Sequence, residues 1–315
     1  MKTVLTIGEI LVEIMAVERG DGFLQPMPLI GPYPSGAPAI FIDQAARFGQ
    51  PCAILACVGA DDFGRTNLRR LEQSGVDISG VAVHPELPTG TAFVRYRPSG
   101  ARDFVFNIKA SAAGQITLGE DRRCLVERCD HLHIMGTSLF SPAIVDVVLK
   151  AAAIVRRKGG TISFDPNVRP EMLFLPGLKA AMETLLTLTD LFLPSGDELF
   201  LFSPGCDEAT AVRRTLGMGV KAIAVKRGAE GCAYFDTRQQ FRQPAFAARE
   251  VDPTGAGDCF GAVFVACWLR GQSPKDALRF AAAAGARAVE RRGPMEGAST
   301  GAELEAFLAE REACA

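Results

Sequence analysis

Short apolar runs alternate with segments of helical periodicity along most of the chain. The helix-like segments are 38–48, 64–74, 142–158, 207–217, 257–269, 274–290 and 301–311. The strand-like runs are TVLTIGEILVEI at 3–14, CAILACVG at 52–59, HLHIMG at 131–136, TISFD at 161–165, DLFLP at 190–194 and KAIAVKRG at 221–228. Buried strands that alternate with helices form parallel sheets covered on both faces. The pattern therefore predicts a three-layer α/β fold, with ligands at the carboxyl ends of the strands.

Two segments depart from this alternation of strand-like and helix-like segments. TAFVRYR at 91–97 and RDFVFNIK at 102–109 alternate apolar and polar residues, and PSG at 98–100 supplies a turn between them. This pattern predicts a β-hairpin with one wetted face. Residues 12–34 are rich in glycine and proline and poor in helical pattern. We interpret 12–34 and 89–110 as a small β lid on a single domain that spans 1–315. The alternative is that these segments form a surface ribbon without a functional role.

Composition narrows the function classes. The net charge is -2 and the sequence pI is about 6.0, so no basic surplus indicates a nucleic-acid or membrane partner. No run approaches the ~20 apolar residues that a membrane span requires. The nine cysteines form no C-x-x-C pair, which is typical of reduced thiols in a cytoplasmic protein. His131 and His133 alternate on a strand without a third ligand nearby, so we interpret them as strand residues rather than metal ligands.

The segment VDPTGAGDCFGA at 251–262 places three glycines and an acid before an apolar run. Its glycines, Gly255, Gly257 and Gly261, are spaced G-x-G-x-x-x-G, whereas a dinucleotide fingerprint requires G-x-G-x-x-G. The string G-x-x-x-x-G-K-[ST] of a P-loop is absent from the sequence. Both familiar phosphate motifs are therefore excluded.

The same segment still favours an anion site. With Thr254 or Gly255 as cap, a helix begins near Gly257, and the backbone N–H groups at its start can approach a phosphate closely. Asp258 lies in the first turn, where a resting phosphate would repel a carboxylate. A base that takes a proton from an attacking hydroxyl explains this acid, and so does a helix-capping role. The spacing alone leaves both interpretations open.

DPTGAGDCF at 252–260 resembles the C-terminal signature of the ribokinase-like (pfkB) carbohydrate kinases. Further segments resemble that family in the same order: YPSGAPAIFIDQAARFG at 33–49, CVGADDFGRTNLRRLEQSGVD at 57–77, DPNVRPEM at 165–172, LPSGDEL at 193–199 and KRGAEG at 226–231. The resemblance implies a ribokinase-like three-layer αβα sandwich with a mostly parallel sheet and a small β lid. It also implies phosphoryl transfer from ATP to a sugar, with Mg²⁺ and a K⁺ site as expected ions.

At the phosphate, the resemblance makes Asp258 the catalytic base and implies that the anion hole is formed by Gly255, Ala256 and Gly257. Asp252 and Thr254 match the loop in which family members often hold a monovalent cation.

On the nucleotide side, Lys226, Gly228 and Gly231 match the nucleotide loop, with a surface lysine as the alternative for Lys226. Asn167 is a further candidate for ATP contact. Glu198 matches the acid that holds magnesium through water, and Ser195 stands where the family usually has asparagine.

At the sugar end, Gly36 matches a close-approach glycine, and Glu13 stands where many members have an aspartate that binds sugar hydroxyls. Ile40 replaces a common asparagine. Arg169 is the candidate clamp for an anionic or polyhydroxyl group, a structural salt bridge being the alternative.

The lid segment FVFNIKASAAGQI at 104–116 resembles YYRKGSA of the 2-keto-3-deoxygluconate kinases. The Y-Y-R positions are then Phe106, Asn107 and Ile108. Because Ile108 replaces an arginine that would meet a carboxylate, we expect a neutral ketohexose such as fructose or tagatose, unless Arg95, Arg97 or Arg169 supplies the charge.

The sequence thus predicts an ATP-dependent sugar kinase whose partners are a sugar and ATP. A homodimer paired through the lid is compatible with the alternating hairpin. The alternatives are a 2-keto-3-deoxygluconate kinase, a nucleoside kinase, a non-catalytic sugar-binding relative and a dinucleotide enzyme. The intact Asp258 disfavours the non-catalytic relative, and the glycine spacing disfavours the dinucleotide enzyme.

Overall fold

The computed structural model describes residues 1–168 and 177–313, and within them the strands form two sheets. The large sheet contains, in spatial order, β13 (Gln240–Gln243), β12 (Cys232–Phe235), β11 (Ala222–Lys226), β10 (Leu191–Phe192), β9 (Thr161–Asp165), β8 (His131–Met135), β1 (Val4–Ile7), β4 (Cys52–Gly59) and β5 (Asp77–His84). All neighbours from β5 to β11 pair in parallel, and β12 and β13 add an antiparallel edge.

The helices cover both faces of this sheet. They are α1 (Ala37–Arg47), α2 (Asp62–Ser74), α3 (Glu120–Arg128), α4 (Pro142–Arg157), α5 (Leu178–Thr187), α6 (Glu208–Gly217), α7 (Ala256–Leu269), α8 (Pro274–Val289) and α9 (Gly301–Ala313). Several begin at side-chain caps: Asp61 accepts the N–H of Gly64, and Ser141 accepts the N–H of Ile144. Each such cap stabilises its helix by about 1 kcal/mol and fixes where the helix begins.

Two apolar cores lie on opposite faces of the large sheet. Successive strand residues alternate between them, so that Val4 and Ile54 enter one core while Leu5 and Leu55 enter the other. The first core is closed by α1, α7, α8 and α9, and the second by α3, α4, α5 and α6. Because strands buried on both faces have no polar side, they read as continuous apolar runs. The predicted three-layer αβα class is confirmed.

The smaller sheet has the order β3 (Leu29–Ser35), β2 (Leu11–Ala16), β6 (Gly90–Tyr96) and β7 (Arg102–Asn107). β6 and β7 form the predicted hairpin, with Tyr96 opposite Arg102 beside the turn. β2 joins β6 in parallel and β3 antiparallel. The strands come from both segments that the sequence assigned to the lid.

One predicted strand is divided in two. The apolar run 3–14 contributes β1 to the large sheet and β2 to the smaller one, with residues 8–10 crossing between them. Every residue from Val4 to Glu13 is buried, and Gly8 and the acid Glu9 mark the crossing in the sequence. The crossing places Glu9 and Glu13 between the two sheets. Among the described residues, no helix is both long and apolar enough to cross a membrane.

Candidate active site

A cavity of about 550 Å³ lies between the two sheets at the carboxyl ends of the large sheet's strands. The large-sheet side supplies residues from the strand ends and from the start of α7. The smaller sheet supplies one wall from β2 and β7. Parallel α/β sheets bind ligands at this edge, where loops rather than helices face the opening.

The backbone at the start of α7 forms the floor of this cavity. Gly255 is the N-cap residue and has φ +81, a left-handed conformation that favours glycine. A Cβ atom there would lie 2.3 Å from the carbonyl oxygen of Pro294, so no larger residue fits. The N–H groups of the first turn lack partners within the helix, and together with the positive end of the helix dipole they favour an anion at this point.

Asp258 is the third residue of α7, buried and in contact with the cavity. Its Oδ1 atom accepts a hydrogen bond of 3.2 Å from Nδ2 of Asn167. The N-cap of α7 is Gly255, which provides no side-chain cap. The carboxylate therefore faces the same space as the anion-binding N–H groups, an arrangement in which it can take a proton from an acceptor hydroxyl.

Lys226 lies at the end of β11 and forms an ion pair with Asp165 at the end of β9. Both side chains are buried, so the surface-lysine alternative is wrong. Burial lowers the pKa of Lys226, but the carboxylates of Asp165 and Glu198 outweigh it, and the pKa is raised. The ammonium group lies 3.8 Å from the position that a Cβ atom of Gly257 would occupy. It therefore adds positive charge beside the start of α7.

Glu198 links two loops below the cavity. Its Oε1 accepts the N–H of Val168 and its Oε2 accepts the N–H of Ser195, both at 2.7 Å. Burial raises the pKa of Glu198, and the charge of Asp165 raises it further. Each carboxylate oxygen keeps a lone pair for water, and Asp165 Oδ1 is buried without a hydrogen-bond partner among the described residues. This donor set fits a hydrated Mg²⁺, which prefers oxygen ligands and retains several waters.

Two buried acids, Glu9 and Glu13, line the cavity beside β2. Oε1 of Glu13 accepts a 2.8 Å hydrogen bond from Ser35, and Oε2 of Glu9 accepts one of 2.7 Å from Ser138. Gly36 allows the chain to pass close by, because a Cβ atom there would lie 2.4 Å from the carbonyl oxygen of Glu9. The sequence analysis missed Glu9 as a cavity residue, although an acid inside an apolar strand run was a visible signal.

The wall from β7 is mixed in character. The rings of Phe104 and Phe106 stack with centroids 4.9 Å apart, and Arg102 lies with its guanidinium carbon 5.3 Å from the Phe104 centroid. Ile108 and Lys109 continue the lining at the end of the strand. Two cations, Arg102 and Lys109, therefore line this wall, and the sequence analysis considered neither as a charge source.

Two alternative charge sources, Arg95 on β6 and Arg97 directly after this strand, are not among the residues that line the cavity. Arg95 donates to the carbonyl oxygens of Asp21 and Gly22, at 3.1 and 2.7 Å. Arg97 forms hydrogen bonds with Asp103 on the neighbouring strand. The guanidinium group of Arg95 is thus held by the loop at 21–22, and that of Arg97 is held by Asp103 on β7.

The loop before α7 is held by a buried carboxylate, that of Asp252. Its Oδ1 accepts hydrogen bonds from the Thr254 N–H at 3.0 Å and from the Tyr96 hydroxyl at 2.5 Å, and its Oδ2 accepts the Gly293 N–H at 2.9 Å. Burial raises the pKa of Tyr96, and the nearby Asp252 raises it further, so Tyr96 remains a donor. The Asp252 side chain therefore points into this network rather than into the cavity.

The predicted site residues fall into three groups. Those that line the cavity are Glu13, Gly36, Phe106, Asn107, Ile108, Asn167, Ser195, Lys226, Thr254, Gly255, Gly257 and Asp258. Those outside the described lining are Gly228, Gly231, Glu198, Asp252 and Ala256. Arg169 lies outside the described residues.

His131 and His133 belong to the core of the large sheet. His131 Nε2 and His133 Nδ1 each lie 2.7 Å from the hydroxyl oxygen of Ser163. The His133 ring stacks on Phe41 with centroids 3.6 Å apart. Burial lowers the pKa of His131 to about 3, so its imidazole is neutral in the folded protein.

This fold and cavity define a ribokinase-like α/β protein. The model of the pfkB family carbohydrate kinases matches residues 1–301, and the chain belongs to this family. A 2-dehydro-3-deoxygluconokinase from Thermoproteus tenax is 32% identical, over 98% of this chain and 94% of that protein. Fructokinase-1 of Oryza sativa is 30% identical over 96% of each chain. The chain is accordingly a carbohydrate kinase, a phosphotransferase with an alcohol group as acceptor.

Solved structures agree with this assignment. An E. coli protein provisionally named Ribokinase II, solved in complex with ATP and Mg²⁺, is 50% identical with a TM-score of 0.94, over 98% of this chain and 100% of that one. A fructokinase double mutant from Vibrio cholerae, bound to fructose, ADP and a potassium ion, is 27% identical with a TM-score of 0.83, over 98% of each chain.

Proposed function

We propose that this chain transfers the γ-phosphoryl group of ATP to a hydroxyl group of a small sugar. One observation carries the proposal: the Asp258 carboxylate and the backbone N–H groups of Gly255 and Gly257 share one helix start that lines the cavity. Phosphoryl transfer needs a base at the acceptor and donors for the charge on the transferred group, in line with each other. This helix start supplies both.

In the proposed step, Asp258 accepts the proton of the acceptor hydroxyl, whose oxygen forms a bond to the γ-phosphorus. The bond between that phosphorus and the β,γ-bridging oxygen breaks, and ADP leaves with the electron pair. The N–H groups of Gly255, Ala256 and Gly257 stabilise charge on the transferred group, and Lys226 adds a fixed cation beside them. Losing one preorganised donor of this kind typically costs about 3 kcal/mol of transition-state stabilisation.

We propose that Asn167, Ser195, Lys226, Gly228 and Gly231 contact ATP. Glu198 would hold Mg²⁺ through water, and bound Mg²⁺ supplies charge neutralisation on the phosphates. The E. coli relative solved with ATP and Mg²⁺ supports these ligands. A potassium role for the loop at Asp252 and Thr254 is supported only by the fructokinase solved with that ion.

For the acceptor we propose a neutral ketohexose, placed between Gly36, Glu13 and the wall from β7. Ile108 supports it, because an apolar side chain there offers no partner to a carboxylate, and several relatives are named fructokinases. A sugar acid of the 2-keto-3-deoxygluconate type is the second candidate. Arg102 and Lys109 line the same wall, and two relatives are named 2-dehydro-3-deoxygluconokinases. Arg169 stays a proposed contact for either acceptor.

A coupled ADP-release screen tests this function directly. With ATP and Mg²⁺ present, the purified protein is offered ketoses, aldoses, sugar acids and nucleosides, and kcat/KM is compared across them. We expect the highest value for a ketohexose. A higher value for the keto acid would overturn the neutral acceptor, and sugar-independent ADP release alone would overturn the kinase proposal.

We also propose a cytoplasmic location and a homodimer paired through the smaller sheet. The described cysteines are free, and most are buried. Leu29 and Val105 of the smaller sheet are exposed, which gives it an apolar outer surface. Sedimentation of the wild type and of a Val105→Lys variant tests the pairing, because a charge on a shared apolar surface would shift a dimer towards the monomer.

A further inference from the structure

One side chain of the smaller sheet reaches the loop that leads into the anion hole. Tyr96 is the last residue of β6, and its hydroxyl lies 2.5 Å from Oδ1 of Asp252 and 2.9 Å from Oγ1 of Thr254. Asp252 and Thr254 are buried, whereas Tyr96 is partly buried. Hydrogen bonds therefore join the smaller sheet to the loop that directly precedes α7.

Asp252 depends on these donors. It is 1% exposed, and no ion pair to it is present among the residues that the structure describes. Burying a polar oxygen is costly unless it accepts hydrogen bonds, and each lost donor leaves that cost uncompensated. Removing the Tyr96 hydroxyl leaves Oδ1 with the Thr254 N–H as its described donor.

Asp252 accepts hydrogen bonds from the N–H groups of Thr254 and Gly293, and each of these residues directly precedes one that shapes the proposed anion hole. Thr254 directly precedes Gly255, and Gly293 directly precedes Pro294. The carbonyl oxygen of Pro294 lies within 2.3 Å of the position that a Cβ atom of Gly255 would occupy. Since the two segments pack this closely, a shift of the Asp252 carboxylate displaces the N–H groups at the start of α7.

We propose that Tyr96 is a positioning residue for phosphoryl transfer. Its hydroxyl makes the arrangement of the N–H groups of Gly255–Gly257 depend on the smaller sheet being packed against the large one. The inference rests on the proposed kinase function and goes beyond it, because it assigns part of the anion hole's geometry to the wall that covers the sugar. Donors misplaced by about 1 Å can cost on the order of 100-fold in rate.

The test is Tyr96→Phe, which removes one oxygen atom and keeps the ring. Tyr234→Phe is the matched control, since the Tyr234 hydroxyl also donates to an aspartate, Asp236, at 2.8 Å and lies outside the described lining. We expect Tyr96→Phe to lower kcat by roughly 10- to 100-fold. We expect its sugar KM to stay within about threefold of the wild type, because ground-state contacts are unchanged. Tyr234→Phe retains the wild-type kcat.

Two kinetic outcomes overturn the proposal. A raised sugar KM with unchanged kcat would show that Tyr96 only holds the wall over the sugar. Unchanged kcat and KM per folded molecule, with a lower Tm alone, would show a purely structural hydrogen bond.

Hydrogen-exchange mass spectrometry separates this inference from the kinase proposal. In Tyr96→Phe we expect faster amide exchange in the peptide covering 252–258, with the wild-type rate retained in α4. Unchanged exchange in 252–258 overturns the link, whatever the activity. A wild type that phosphorylates no sugar overturns the kinase function and the catalytic role of Tyr96, while the exchange result still decides whether the two sheets are linked there.

Discussion

Asn167 donates a hydrogen bond to the carboxylate of Asp258 from a left-handed backbone conformation. The Nδ2 to Oδ1 distance is 3.2 Å, and the φ angle of Asn167 is 38°. Most side chains pay ~1–2 kcal/mol for this conformation, and asparagine adopts it more readily. The backbone bend after β9 thus aims an amide at the proposed base, which orients its carboxylate without changing its charge.

Two substitutions of Asn167 separate orientation from charge. We expect Asn167→Ala to lower kcat about 10-fold, because Asp258 loses an orienting donor, and to leave the pH profile in place. Asn167→Asp sets a second carboxylate beside the base, which raises the pKa of Asp258. The acidic limb of the kcat profile should therefore move to higher pH in Asn167→Asp alone. Superimposable profiles for the two variants would contradict the contact.

Breaking the buried ion pair between Lys226 and Asp165 should lower the free energy of unfolding. Lys226→Met leaves a buried, unpaired carboxylate, and we expect a loss of about 3–5 kcal/mol in the free energy of unfolding by urea denaturation. Adding Asp165→Asn removes that charge and should restore most of the stability while kcat stays low. A loss below about 1 kcal/mol in Lys226→Met would show that the pair is not buried in solution.

Because His131 is buried and neutral, we expect the stability of the folded protein to fall as the pH is lowered. The pKa of His131 is about 3 in the folded protein against an ordinary value of 6.5, so the unfolded chain binds more protons between these values. His131 therefore stabilises the fold fully above about pH 6.5, and this contribution is lost as the pH falls towards 3. The free energy of unfolding should fall by up to about 1.4 kcal/mol per pH unit for this one group.

The variant His131→Asn isolates that contribution, because the carboxylates titrate alike in both proteins. We expect the stability of the variant to fall less steeply with acidification by about one proton equivalent. Equal slopes for the variant and the wild type between pH 6 and 4 would mean that His131 is accessible to protons in the folded state.

The acceptor preference can be shifted at Ile108. Ile108→Arg adds a cation to the wall of the proposed sugar site, and we expect kcat/KM for 2-keto-3-deoxygluconate to rise about 10-fold relative to fructose. Ile108→Gln is the control for polarity without charge and should leave the ratio near the wild-type value. If both variants change the ratio equally, charge at this position does not select the acceptor.

The sequence could predict features whose residues are close together along the chain, and it could not predict contacts between residues that are far apart along it. The predicted anion hole and Asp258 occupy one contiguous string, 252–260, so local spacing and helix physics predicted an anion site there, and the family resemblance assigned Asp258 as the base. The pairing of Lys226 with Asp165 joins residues 61 positions apart, and that of Tyr96 with Asp252 joins residues 156 apart. No local pattern specifies such contacts, because they form only when the strand order of two sheets is set.

The prediction of a single strand over residues 3–14 was wrong, because this run contributes to two different sheets. Residues 3–14 form one mainly apolar run because both sheets bury them, and Gly8 and Glu9 are the interruption at which the chain crosses. Glu9 was missed as a cavity residue because the whole run was assigned to a single strand, whereas Glu13 was found through the family resemblance. The positive charge of Arg102 and Lys109 on the β7 wall was also missed. The sequence does not show that these two residues line the cavity, because that depends on how the hairpin packs in the folded protein.

The most direct measurement is the turnover of Asp258→Asn with ATP and the preferred sugar. The substitution keeps the shape of the side chain and removes its ability to take a proton. We expect kcat to fall by about 1,000-fold, within the range for loss of a general base, while ATP affinity and Tm stay close to the wild type. Near wild-type turnover with folding and ATP binding intact would contradict the assignment of Asp258 as the base.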